Sequence, residues 1–178
     1  VLAQLEIPLD AVRAAAAARR PGALFVLNAA PSQPLPEDLW AQIDVLVVNE
    51  HEAADLAPGS DGFEVAADQL TERVPTVVVT LGAQGALVAR RGLAPAAVPA
   101  PRVRAVDTTG AGDTFCGVLA AGLAAGADVL DAVRSAAVAG TIAVTRAGAQ
   151  AAVPTAAELT GVVAPRRTGC SVDRQGRG

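Results

Sequence analysis

No lysine occurs anywhere in this chain of 178 residues; all 14 of its basic residues are arginine. A phosphate-cradling loop of the G-x-x-x-x-G-K-[ST] kind is therefore excluded, and so is a Schiff-base lysine. Histidine is nearly as scarce. His51 stands alone, so a histidine-based triad or a multi-histidine metal site would have to be built around that one residue. Aromatic residues make up 2% of the chain, too few for the stacking platforms of nucleic-acid binders, and the net charge of -4 leaves no basic face for a phosphate backbone. Nucleic acid is not an expected partner. Cys116 and Cys170 are too few for a disulfide framework and fit the reducing cytoplasm. No signal peptide is visible, and the most apolar stretch, 117–130, is too short and alanine-rich to cross a bilayer. Methionine is missing too: the chain opens on Val1, which reads as a mature, trimmed or partial product.

What is present is a 52% hydrophobic sequence, long enough for one domain with a core of small residues. Helices are expected over 9–20, ahead of the Pro21-Gly22 stop, in a short stretch after Pro36, from 50 to the break at Pro58-Gly59, and over 62–73. The apolar runs 23–28, 44–49 and 76–82 read as buried strands. Runs 85–90 and 93–100, joined by Arg91 and Gly92, read as a hairpin at a sheet edge, where prolines are tolerated. Long helices follow over 112–124 and 127–148, the second with a small-residue face of Ala136, Ala139, Gly140 and Ala143. A short helix is expected at 155–162, and 163–178, which lacks an apolar period, reads as a disordered tail. Alternating apolar strands and helices predict an α/β domain, a parallel sheet covered on both faces. Ligands of such sheets bind at the carboxyl ends of the strands, where Asn28, Asn49 and residues 80–82 fall.

The most unusual stretch is DTTGAGDTF at 107–115. It is a loop of small residues opening a helix, and exposed N–H groups at a helix start favour an anion. The dinucleotide pattern G-x-G-x-x-G fails, because Phe115 stands where its third glycine belongs. Asp113 falls in the first helical turn. A carboxylate beside an anion hole is out of place in a simple phosphate binder, since like charges repel. It suits a base that takes a proton from a hydroxyl while the hole stabilises a transferring phosphoryl group. The competing reading is that Asp113 merely caps the helix.

With these residues the chain resembles the ribokinase (PfkB-type) carbohydrate kinases. DTTGAGDTF matches their C-terminal signature, and QLEIPL (4–9), LNAAPS (27–32), VNEHE (48–52), TLGAQG (80–85) and AVTRAGAQAAVP (143–154) extend the likeness to about Pro154. The resemblance implies a three-layer, Rossmann-like αβα fold and ATP-dependent phosphorylation of a sugar hydroxymethyl group. D-ribose leads as acceptor, with fructose, 2-keto-3-deoxygluconate or a nucleoside as alternatives. It implies Asp113 as catalytic base and Gly110, Ala111 and Gly112 as the anion hole. Asp107 and Glu6 match sugar contacts. Asn49 and Glu52 form the N-x-x-E pattern that organises phosphates and Mg2+, with helix capping as the competing reading of Asn49 and a solvated helix position as that of Glu52. Thr80, Leu81, Gly82, Ala83, Gln84 and Gly85, with Gly112 and Asp113, match the ATP contacts. A K+ site is implied at Asp107 and at carbonyls of Thr109, Ala143, Arg146, Gly148 and Ala152.

Two departures concern this chemistry: Ala152 stands where a serine often closes the K+ site, and Ala137 where some members carry a polar side chain beside adenine. A larger one lies at the front, where the family's first strands, glycine-pair sugar loop and β-lid have no match. The expectation is a homodimeric parent enzyme of which 1–162 is the ATP-binding portion. A catalytically silent nucleotide-binding fragment is the alternative from another class.

Overall fold

Valine density decides where the sheet lies. The computed structural model describes residues 1–160, and in it VLVVN and TVVVT become the central strands β3 (Val45–Asn49) and β4 (Thr76–Thr80). β-branched side chains pack well on a pleated surface, and a strand covered on both sides has no need of polar alternation. β1 (Leu2–Gln4) and β2 (Val26–Asn28) run parallel to them on one flank, while on the other flank β5 (Ala86–Arg90) pairs antiparallel with β4 and β6 (Ala96–Val98) pairs antiparallel with β5. The spatial order follows the chain, β1 to β6. β6 is the expected edge; Pro95 and Pro99, which cannot donate to a ladder, bracket it.

Helices cover both faces. On one side lie α1 (Leu9–Ala17), α2 (Glu37–Trp40), α3 (Glu50–Leu56) and α4 (Phe63–Thr71), burying Val12, Leu39, Ala53 and Leu70 against Leu46, Val48, Val77 and Val79. On the other lie α5 (Ala111–Ala124) and α6 (Val129–Ala143), which set Phe115, Leu119 and Val133 against Val45, Val47 and Val78. Register explains the division: neighbours along a strand point to opposite faces, so Leu46 and Val47 belong to different cores. The small-residue face of α6 has its expected use. Ala136 and Ala139 are fully buried, and a Cβ on Gly140 would come within 3.4 Å of the Ala111 carbonyl oxygen in α5. A short helix, α7 (Ala156–Thr160), ends the described segment. The expected tail 163–178, the last residues of the expected final helix and Cys170 lie outside the described residues.

Three expectations need correction. β1 is a strand that the periodicity did not reveal, because three residues carry too little pattern. α1 stops at Ala17, short of the two arginines. α6 stops at Ala143, five residues early. Its ladder ends there because the Val144 carbonyl instead accepts the N–H groups of Val106 (2.7 Å) and Asp107 (3.2 Å), which holds the strand-to-helix connection against the end of α6.

Candidate functional site

The parallel strands deliver their last residues to one edge: Gln4 is in register with Asn28, and Asn49 with Thr80. Beyond Thr80 the chain makes a 3-10 turn (Gly82–Gln84) and returns through Gly85 into β5. Gly85 is required there: its φ is +102°, and a Cβ would sit 2.0 Å from the Val98 carbonyl oxygen. This turn forms one wall of a cavity of about 470 Å3, a size usual for a small-molecule site. A second wall is the α6 face of Ala137 and Thr141 with Val144 just past its end; a third is the irregular segment carrying Pro101, Arg102, Val103 and Ala105. Ala111 and Gly112, at the start of α5, form the floor. Of the residues matched to ATP contacts, Thr80, Gly82, Ala83, Gly85 and Gly112 line this cavity, while Asn49, Glu52, Leu81, Gln84 and Asp113 do not.

α5 begins on glycine for a structural reason. Gly110 is its N-cap at φ +73°, and a Cβ there would meet the Ala149 Cβ at 3.2 Å, so the loop 107–110 is pressed against the loop after α6. Asp107 ties the two together: its carboxylate accepts the N–H of Thr109 (2.9 Å) and that of Gly148 (3.0 Å). The Thr109 hydroxyl, then the Gly148 and Thr109 N–H groups, hold this carboxyl well below the usual range, at about 2. Arg146 pairs with Glu158, which also caps α7 by accepting the Thr155 N–H at 2.8 Å, so α7 is fastened to the same loop. The Arg146 side chain, then the Thr155 groups, lower the Glu158 carboxyl to about 2.

Asp113 is exposed in the first turn of α5, and among the described residues its carboxylate has no hydrogen-bond or ion-pair partner. It does not cap the helix, since the α5 N-cap has no side-chain bond. The two members of the N-x-x-E pattern differ from it. Asn49 accepts the Glu52 N–H (2.9 Å) while Glu52 accepts the Asn49 N–H (2.8 Å), a reciprocal capping box at the start of α3. Both Asp113 and Glu52 act on the buried thiol of Cys116: burial first, then these two carboxylates, push it up to about 12. Glu6 lies exposed beyond β1, bonded to Gln4.

No group of three or more histidine, cysteine or acidic side chains converges among the described residues. A divalent ion beside Asp113 and Glu52 would therefore lean on phosphate oxygens and water, the usual manner of Mg2+. The Asp107 bridge brings the loops at 109 and 146–148 together, and the carbonyls of those loops are the groups that would hold a monovalent cation. Within that set the Ala143 carbonyl already accepts the Arg146 N–H at 3.1 Å, and Ala152 is buried without a polar side chain.

Sequence reasoning missed the wall at 100–105. Its signal was faint: two exposed arginines, Arg102 and Arg104, in an irregular stretch after the hairpin. No helix among the described residues is long and apolar enough to cross a membrane.

Comparison with known proteins gives this geometry its relatives. The family described as pfkB family carbohydrate kinase matches residues 2–156. Ribokinase of Haemophilus influenzae is 39% identical over 168 residues, covering 89% of this chain and 53% of that protein; ribokinase of Schizosaccharomyces pombe is 38% identical over 170, covering 90% and 54%. Among solved structures, ribokinase of Thermotoga maritima superposes with a TM-score of 0.82 at 33% identity, covering 90% of this chain and 55% of that one. Arabidopsis thaliana ribokinase complexed with ribose and ATP gives 0.82 at 29%, covering 90% and 54%. The chain spans about half the length of the curated relatives it matches.

Proposed function

Because the chain belongs to the pfkB family of carbohydrate kinases, we propose that it supplies the nucleotide site and catalytic base for ATP-dependent phosphorylation of a sugar hydroxymethyl group, with D-ribose as acceptor and ribose 5-phosphate as product. The observation that carries the reading is the unpartnered carboxylate of Asp113, one turn inside a helix whose first residues floor the cavity. ATP would lie along residues 80–85, and its terminal phosphates would meet the N–H groups of Gly110, Gly112 and Ala111, the last turning from the Thr108 carbonyl to which it donates at 3.3 Å. Asp113 accepts the proton of the sugar hydroxyl as its oxygen attacks the γ-phosphorus. The bond to the bridging oxygen breaks, ADP leaves, and the charge on the transferring group rests on the N–H groups and the α5 dipole. Mg2+ supplies charge neutralisation on the phosphates when bound; Glu52, with one oxygen engaged by the Asn49 N–H, would orient its water shell. K+ at Asp107 and the neighbouring carbonyls would hold the 107–110 loop in shape, with Ala152 leaving one ligand to water. Asp107 and Glu6 would contact the sugar. The setting is cytoplasmic.

The test is Asp113→Asn in the complete enzyme, assayed with ribose and ATP. Loss of a general base lowers kcat about 10²–10⁴-fold. Retention of most of the wild-type kcat overturns the assignment. Ribose is preferred as acceptor because the ribokinases of Haemophilus influenzae and Thermotoga maritima are among the relatives matched. Equal or better turnover of fructose or a nucleoside would replace it.

A further inference from the structure

Resting on the reading of the cavity as a nucleotide site, we propose that it selects its phosphoryl donor by charge and shape and is tolerant of the base, with Arg102 as the cationic contact. The walls that would enclose a base are Ala83, Pro101, Val103, Ala105, Ala137 and Val144. No asparagine, glutamine, aspartate or glutamate side chain lines the cavity. Those side chains pair a donor or acceptor with a base edge and so tell a 6-amino from a 6-oxo purine. The hydroxyls present are poor substitutes. Thr141 donates to the Ala137 carbonyl at 2.8 Å and Thr80 reaches toward the Val48 carbonyl at 3.3 Å, while Thr108 sits beside the α5 start. An apolar slot rejects an isostere only weakly, by about 10²-fold at most, whereas a site that hydrogen-bonds its ligand rejects the wrong one by about 10⁴-fold or more.

Arg102 is the one charged side chain lining this cavity, and it makes no hydrogen bond or ion pair among the described residues. A free guanidinium at the mouth of an apolar slot suits an anion, and its flat face also stacks on a ring, whichever base carries that ring. Its contribution is therefore common to all nucleoside triphosphates.

Calorimetric titration of the 178-residue chain with Mg·ATP, Mg·GTP, Mg·ITP and Mg·CTP, without sugar, tests both parts. The four Kd values are expected within about tenfold of one another. Arg102→Gln is expected to weaken all four by a similar factor, about tenfold, with Arg102→Lys recovering part of the loss and thermal unfolding without ligand unchanged. ATP binding 100-fold more tightly than GTP and ITP overturns the tolerance while leaving the nucleotide site in place. Unchanged Kd values in Arg102→Gln overturn the role of Arg102. Absence of binding by all four overturns the nucleotide site itself, and this inference with it.

Discussion

The two helical faces of the sheet are made differently. The α1–α4 side is a conventional aliphatic core, with Phe25, Leu27, Leu39, Leu46 and Leu70 all essentially inaccessible. It is also laced by surface ion pairs such as Arg13 with Asp38 at 2.8 Å, and Arg73 rests on the Trp40 ring at 4.3 Å. The α5–α6 side has small residues where its helices meet, and its strand-end edge is formed largely of backbone: N–H groups at Gly110 to Gly112, carbonyls at 146–148, and glycines that admit close approach. The difference teaches where stability and chemistry reside. Large side chains on the first face exclude water and hold the strands. On the second face, small residues clear space so that peptide groups and one carboxylate can meet a ligand. Mutations should therefore separate by face into those that unfold and those that disable.

Asp113→Asn and Leu46→Ala break the comparison most sharply. The first should raise the barrier of the complete enzyme by about 3–5 kcal/mol. It should leave the denaturation midpoint nearly unchanged, because among the described residues the carboxylate has no hydrogen-bond or ion-pair partner. Leu46 is fully buried in the α1–α4 core, and its truncation should cost about 2–5 kcal/mol of stability through lost transfer energy and a residual cavity. Urea titration and kcat, measured on both variants, give a two-by-two result. Asp113→Asn that unfolds, or Leu46→Ala that only slows turnover, would erase the distinction.

A subtler contrast sets two glycines against each other. Gly110 and Gly126 both have positive φ, +73° and +83°, but nothing lies within 4 Å of a Cβ on Gly126, whereas one on Gly110 meets Ala149 at 3.2 Å. Alanine should cost about 1–2 kcal/mol at either site from backbone strain. At Gly110 it should also push the anion loop away from 148–149 and weaken nucleotide binding. Equal nucleotide affinity in the two variants would mean that the loop contact has no bearing on the site.

The same contrast governs what the sequence made legible. Strands β3 and β4 were legible because unbroken valine runs between turn residues have few other fates, and the start of α5 because DTTGAGDTF is chemically distinctive. Asn49 was legible as a polar strand end, but only geometry shows it closed in a capping box with Glu52. What stayed hidden depends on tertiary contacts. α6 ends at Ala143 because the carbonyl of Val144 is taken by Val106 and Asp107, nearly forty residues earlier in the chain, and no local propensity records that. The cavity wall at 100–105 has no regular structure and hence no period; it becomes a wall only because α6 stands opposite.

The smallest predicted effect is a pH response at the backbone-built edge. Asp107 has its carboxyl lowered from 3.8 to about 2 by the Thr109 hydroxyl and by the N–H groups of Gly148 and Thr109. A group whose pKa is depressed by folding favours the folded arrangement fully above its unfolded value and loses that contribution as pH falls through its folded value. The bridge between the two loops should therefore be intact above about pH 4 and fade between there and pH 2; on the aliphatic face the acid response is that of the surface pair Arg13–Asp38, whose carboxyl is lowered by the Arg13 side chain. Amide hydrogen exchange at Gly148 and Thr109, followed from pH 5 to pH 2 and corrected for intrinsic rates, should show protection dropping in that window. Asp107→Asn should show lower protection already at pH 5 and only the smaller pH dependence that Glu158, held at about 2 by Arg146 on the same loop, imposes. A carboxyl signal of Asp107 that titrates near 3.8, with amide protection unchanged throughout, would detach the Asp107 carboxylate from Gly148 and leave the two loops held by the Val106 and Asp107 N–H bonds to the Val144 carbonyl and by the contact of Gly110 with Ala149.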